Sequence, residues 1–132
     1  MRVAADTNLL VRAVIQDDPR QTRVATEALL SAAGVVLTPT ALCEFVWVAS
    51  RGYRLGPAEI AAAIRTLLAG ENVEADWQTA EAGLAMLDAG GDFADGVIAY
   101  EGRRLGADAF LSFDRRAVRL LETLGEPAQL LG

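Results

Sequence analysis

Short unbroken apolar runs alternate along this chain with longer segments whose apolar positions recur every three or four residues, and single Gly or Pro residues separate them. Arg2-Val3-Ala4-Ala5 predicts a strand that ends at Asp6-Thr7-Asn8, a helix-start signature ahead of Leu9-Leu10-Val11. Asp17-Asp18-Pro19 predicts a turn, followed by a helix over 20–33 closed by Gly34. Val35-Val36-Leu37 predicts a second strand, and Thr38-Pro39-Thr40 opens a helix through Ser50. Pro57 at a first helical position and Gly70 just past the end bracket another helix. Asn72-Val73-Glu74 predicts a third strand, with a helix over about 76–87 behind it. Gly90-Gly91-Asp92 reads as a loop, 93–105 as a helix, 109–112 as a fourth strand, 115–124 as a helix and 128–130 as a short final strand.

Apolar strands alternating with helices imply an α/β fold, a short parallel sheet covered on both faces. Such a sheet gathers its ligands at the carboxyl edge of the strands, so the polar residues there matter most. The 132 residues suit a single domain over 1–132, with 52% apolar residues to build a core. The longest apolar stretches fall short of the roughly 20 residues that span a bilayer, so no membrane is expected.

Composition then removes chemistry. There is no His, and all 12 basic side chains are Arg. Imidazole bases, His-ligated zinc, Lys phosphate clamps and Schiff bases are therefore excluded. One Cys forms no internal disulfide and no thiolate zinc site, which fits a reducing cytoplasmic setting. A net charge of −6 argues against a generic basic nucleic-acid binder. Carboxylates gathered around a divalent cation count as negative in that sum yet are neutralised in place.

Five carboxylates stand out. Asp6 follows the first strand and Asp114 follows Phe110-Leu111-Ser112-Phe113, each at the start of a helix. Taken singly, each is explained as an N-cap. Glu44 lies within Ala41-Leu42-Cys43-Glu44-Phe45-Val46-Trp47-Val48-Ala49, a segment apolar on all sides. Such a helix is expected to be buried, and a buried carboxylate must be protonated, paired with Arg12 or Arg51, or bound to a metal. Asp92 and Asp95, three apart at a helix start, also read as a capping pair. If these acids converge, repulsion forces one of them to keep its proton unless a cation intervenes. All-oxygen ligation suits Mg²⁺ or Mn²⁺, and the chemistry that follows is attack of a metal-activated water on phosphorus.

Val3-Ala4-Ala5-Asp6-Thr7-Asn8, the lone Glu44, Asp92-Phe93-Ala94-Asp95-Gly96-Val97-Ile98-Ala99 and Leu111-Ser112-Phe113-Asp114 occur in the order found in PIN-domain ribonucleases. The chain resembles above all the short VapC-type toxins of bacterial toxin–antitoxin pairs. That resemblance implies a parallel α/β/α sandwich, dependence on Mg²⁺ or Mn²⁺, endonucleolytic cleavage of RNA (tRNA, rRNA or mRNA), homodimerisation, and inhibition by a cognate antitoxin protein. It implies a catalytic quartet of Asp6, Glu44, Asp95 and Asp114, with Asp6 and Asp95 as the principal metal ligands. Asp92, Thr7, Asn8 and Ser112 take supporting roles, with Ser112 standing where Thr is more usual. RNA must be held by Arg, and Arg115 and Arg116, directly after Asp114, are the leading candidates.

Two apolar helices, over 40–50 and 57–69, carry Phe45, Trp47, Ile60, Ile64 and Leu68 and suit a core, a dimer interface or an antitoxin groove. The main alternative function is a non-catalytic PIN-like interaction module whose acids are only caps and ion pairs. A phosphoryl-transfer domain built on an aspartyl phosphate fits less well, because it normally needs a Lys and a second Asp where this chain has Asn8.

Overall fold

A computed structural model describes all 132 residues, Met1–Gly132, as two compact units, Met1–Asp76 and Trp77–Gly132. Both are α/β and both sheets are parallel.

In the first unit the elements run β1 (Arg2–Ala4), α1 (Thr7–Val14), α2 (Pro19–Ser31), β2 (Gly34–Leu37), α3 (Pro39–Arg51), α4 (Pro57–Leu68) and β3 (Val73–Ala75). The sheet order is β1-β2-β3, with Val3 opposite Val35 and Val36 opposite Glu74. Each neighbouring pair is joined by a two-helix crossover, the long connection that parallel pairing requires. The central strand is the most buried, and Leu10, Leu37, Leu42, Phe45, Ile60, Ile64 and Leu68 are almost wholly removed from water. Burial of such side chains stabilises by about 1.5–3 kcal/mol each, far more than the exposed ion pairs contribute. Asn72 ties the sheet to α2 by donating from its side-chain amide to the carbonyls of Leu29 and Ala32, at 2.8 and 2.9 Å.

Gly34 does not close α2, contrary to the sequence expectation; the helix ends at Ser31 and Gly34 opens β2. The exposed pair Arg2–Glu74 (Nη2 to Oε2, 2.6 Å) joins β1 and β3 past this position, and a Cβ on Gly34 would sit 2.8 Å from Glu74 Oε2.

The second unit comprises α5 (Trp77–Asp88), α6 (Phe93–Arg104), β4 (Phe110–Ser112), α7 (Arg115–Thr123) and β5 (Ala128–Leu130). β4 and β5 form a parallel pair of their own, with Phe110 opposite Ala128 and Ser112 opposite Leu130. Met86, Ala99 and Leu121 form a buried cluster, against which Phe110, Leu120 and Ala128 pack. Arg103 grips Glu126 through two hydrogen bonds of 2.9 and 2.8 Å, linking the end of α6 to the approach of β5.

Helices α5 and α6 meet where glycine occupies the contact. A Cβ on Gly96 would collide with the Ala82 carbonyl oxygen and stand 2.9 Å from Met86 Cγ. Gly83 faces the fully buried Phe93 ring in the same way, with 2.6 Å available. Gly96→Ala gains about 1 kcal/mol of helix propensity, yet it overlaps backbone that has no rotamer to escape into, at a cost of about 1–3 kcal/mol or more. The substitution is expected to lower stability by about 1–2 kcal/mol, read as a lower urea midpoint at unchanged m-value. A variant as stable as the parent chain would show that the two helices can separate freely.

Candidate active site

Three of the five acids start helices. Asp6 Oδ1 accepts from the Leu9 backbone N–H at 2.8 Å and caps α1. Asp92 Oδ1 accepts from Ala94 N–H at 3.1 Å and caps α6. Asp114 Oδ1 accepts from Ala117 N–H at 3.0 Å and caps α7. Each cap engages one carboxylate oxygen only, so the second remains for another partner. Capping also sets the positive end of the helix against the charge.

In the first unit the candidate side chains are Asp6, Thr7, Asn8 and Glu44. Glu44 is exposed, which corrects the expectation that it is buried; the helix around it is not apolar on every face, because Trp47, one turn on, is 61% exposed. Nor does Glu44 pair with an Arg. Thr7 Oγ1 donates to its Oε1 at 3.1 Å, while Arg12 reaches Asp17 at 3.1 Å and the Arg51 guanidinium lies 5.9 Å from the centre of the Trp47 ring. Thr7 follows Asp6 in sequence, so this bond brings the α3 acid to the first turn of α1. The apolar residues of α3 and α4 mostly serve the core: Phe45, Ile60, Ile64 and Leu68 are at most 1% exposed, and Trp47 is the large exception.

In the second unit Asp95 lies within electrostatic reach of Asp92 and Asp114. Asp95, half-buried in the first turn of α6, has its pKa raised above the ordinary 3.8, first by loss of solvent, then by the charges of Asp92 and Asp114. Its place near the positive helix end works the other way and is outweighed. Ser112 Oγ accepts from the Asp114 backbone N–H at 2.9 Å, which holds the turn between β4 and α7. Arg115 and Arg116 are exposed in the first turn of α7. The Arg116 guanidinium lies over Gly90, where a Cβ would be 2.9 Å from Nη2, so it faces the loop leading to Asp92.

The donor chemistry suits a hard divalent cation: carboxylate and hydroxyl oxygens, with no imidazole. The repulsion that raises Asp95 is of the kind such an ion relieves. A ready-made cage is not present, for no three acidic or thiol side chains are arranged to hold an ion. Sequence reasoning missed the exposure of Glu44 and the glycine contact behind Asp95. Spacing of Gly83 and Gly96 on two successive helices was the available signal for the latter.

A model of the PIN domain family matches residues 3–121. No curated protein matches the chain.

The Asp95 shift has a measurable consequence. Because its folded-state pKa lies above the unfolded value, its contribution to stability is fully present below 3.8 and is lost as pH rises through the raised value. At neutral pH the ionised carboxylate therefore opposes folding. Asp95→Asn is expected to raise the melting temperature of metal-free protein at about pH 7 and to leave it nearly unchanged at about pH 3. Thermal melts in EDTA at the two pH values check this; a variant less stable at neutral pH would contradict it.

Proposed function

The chain belongs to the PIN domain family, which points to a nuclease of the hydrolase class, and on that premise we propose that it is an Mg²⁺- or Mn²⁺-dependent endoribonuclease acting as the toxin of a toxin–antitoxin pair. The observation that carries the reading is Asp95, a carboxylate kept half-buried beside two others although its charge opposes folding. Such perturbed groups concentrate where chemistry is done.

In this reading Asp6, Glu44, Asp95 and Asp114 are the acidic quartet, Asp6 and Asp95 the principal metal ligands, and Asp92 an accessory acid. When bound, a divalent cation supplies Lewis-acid stabilisation of phosphate charge and acidifies water. The chain's own groups do the rest. Asp6 is fixed through Oδ1 by the Leu9 N–H, which orients its second oxygen. The Thr7 hydroxyl orients Glu44. Arg115 and Arg116 grip RNA phosphates, for which a guanidinium fork is well shaped. With a net charge of −6 the long-range field does not gather RNA, which favours a shaped target such as a tRNA, an rRNA loop or an mRNA element over indiscriminate attack.

A homodimer and a cognate antitoxin are the expected partners, and the exposed Trp47 with Arg51 over its ring supports a protein contact on α3. No helix is long and apolar enough to cross a membrane, and the lone Cys suits action in the cytoplasm.

One specific observation favours a second reading, a non-catalytic interaction module: Asp6, Asp92 and Asp114 are each accounted for as caps, and no three acids form a cage. Metal decides between them. Specific binding stabilises by about 2.7 kcal/mol at 100 times Kd, so the melting temperature is expected to climb with Mn²⁺ concentration, and a flat response would favour the module.

Asn caps a helix as well as Asp does but carries no charge. Asp6→Asn and Asp114→Asn are therefore expected to keep stability within about 0.5 kcal/mol. Loss of several kcal/mol of charge stabilisation corresponds to a fall in cleavage of about 100-fold or more. The measurement is cleavage of total RNA with mapped ends in Mg²⁺, Mn²⁺ and EDTA. Equal activity of Asp6→Asn and the parent chain would refute the mechanism.

A further inference from the structure

In the first unit, α1 and α2 border a groove of about 550 Å³ that the caps and strand ends do not account for. Four kinds of chemistry line it. Leu9 and Val24 give an apolar wall, with Val24 60% exposed; Asn8 and Gln21 contribute side-chain amides; Arg12, held by Asp17, and Arg20 contribute cations, and Asp6 and Asp18 contribute carboxylates. The walls are fixed in place. Asp18 Oδ1 accepts from the backbone N–H groups of Arg20 and Gln21 at 3.1 and 3.2 Å, and Thr22 Oγ1 donates to the Arg12 carbonyl at 3.0 Å, tying α2 to α1.

We propose that this groove is a nucleotide subsite, which takes one RNA residue beside the bond to be cut. The base lies on the Leu9–Val24 wall, the Asn8 and Gln21 amides read its edge, and Arg20 meets its phosphate. The volume falls within the roughly 300–1,000 Å³ of small-ligand sites. An amide offers a donor and an acceptor side by side, the pattern that pairs with adenine N6 and N7, so adenine is the base it suits best. Aliphatic surface for the base face, amides for its edge and a guanidinium for its phosphate favour a nucleotide over a peptide segment. The position of the subsite beside the cut bond rests on the nuclease reading; nucleotide binding does not.

The test uses the full chain in EDTA, titrated with AMP, CMP, GMP and UMP and followed by heteronuclear NMR or calorimetry, alongside mapped cleavage of RNA in Mn²⁺. Two variants probe the groove. Gln21→Ala removes an edge contact, and Val24→Trp fills the wall from an exposed position that tolerates a large side chain. AMP is expected to bind more tightly than CMP or UMP, with shifts confined to α1 and α2. Each variant is expected to weaken AMP binding by about tenfold, the size of one lost base contact, and to flatten an adenine preference at the cut sites. Nucleotide binding of this kind without any cleavage would sink the nuclease reading and leave the subsite standing. Cleavage with base preference and KM unchanged in both variants, and no AMP binding, would overturn the subsite. Altered self-association in Val24→Trp with unaltered AMP binding would equally overturn it, marking the groove as a protein contact.

Discussion

The start of a helix exposes backbone N–H groups that no preceding turn can satisfy, and in this chain an aspartate oxygen accepts from them repeatedly. The bond fixes where the helix starts, and it fixes the acid. A carboxylate tethered through Oδ1 has few rotamers left, and the helix end lowers the free energy of its charge. Cap and chemical group are thus the same side chain in two uses, one per oxygen. Capping by itself does not single out a reactive acid: Asp18 holds α2 by the same kind of bond, to two N–H groups. What sets the others apart is their neighbourhood.

That neighbourhood is most visible at Asp95. It stands in the first turn of α6, where the dipole favours a negative charge, yet its proton is held more tightly than in an ordinary aspartate. Desolvation and two like charges therefore exceed the dipole's contribution, which is about 0.3–1 kcal/mol at most exposed sites. The next residue, Gly96, presses α6 onto the α5 backbone with no side chain between. The helical turn carrying Asp95 therefore cannot shift towards α5.

Much of this was legible in the residues. The strand at 128–130, the cap at Thr38, Pro57 at a helix start and the parallel sense of the sheets all follow from local patterns with strong physical causes. The family resemblance carried by Asp6, Asp92, Asp95 and Asp114 agrees with a family match over 3–121. Two readings failed for a shared reason: they inferred three-dimensional surroundings from sequence neighbours. Glu44 has apolar neighbours in sequence, but a helix points successive residues about 100° apart, and its own direction is outward. Gly34 has the look of a helix terminator, yet it opens β2 opposite Arg2, a strand partner 32 positions away that no local window contains. The glycine contact at Gly96 was hidden likewise, since a missing side chain signals nothing until its neighbour is known.

The same distinction bears on how a protein without Lys and with a net charge of −6 deals with a polyanion. Long-range attraction is weak or unfavourable, so affinity has to come from contacts at short range: paired guanidinium hydrogen bonds, base stacking and base-edge reading. Arg suits that requirement better than Lys because its planar fork is preorganised and less strongly hydrated. Several of the Arg residues are engaged elsewhere, Arg2 with Glu74, Arg12 with Asp17 and Arg103 with Glu126. Those in the first turns of α2 and α7, Arg20, Arg115 and Arg116, are exposed beside capping aspartates. For the proposed ribonuclease, discrimination between RNAs rests on shape and sequence at a few points of contact, as a weak global field requires.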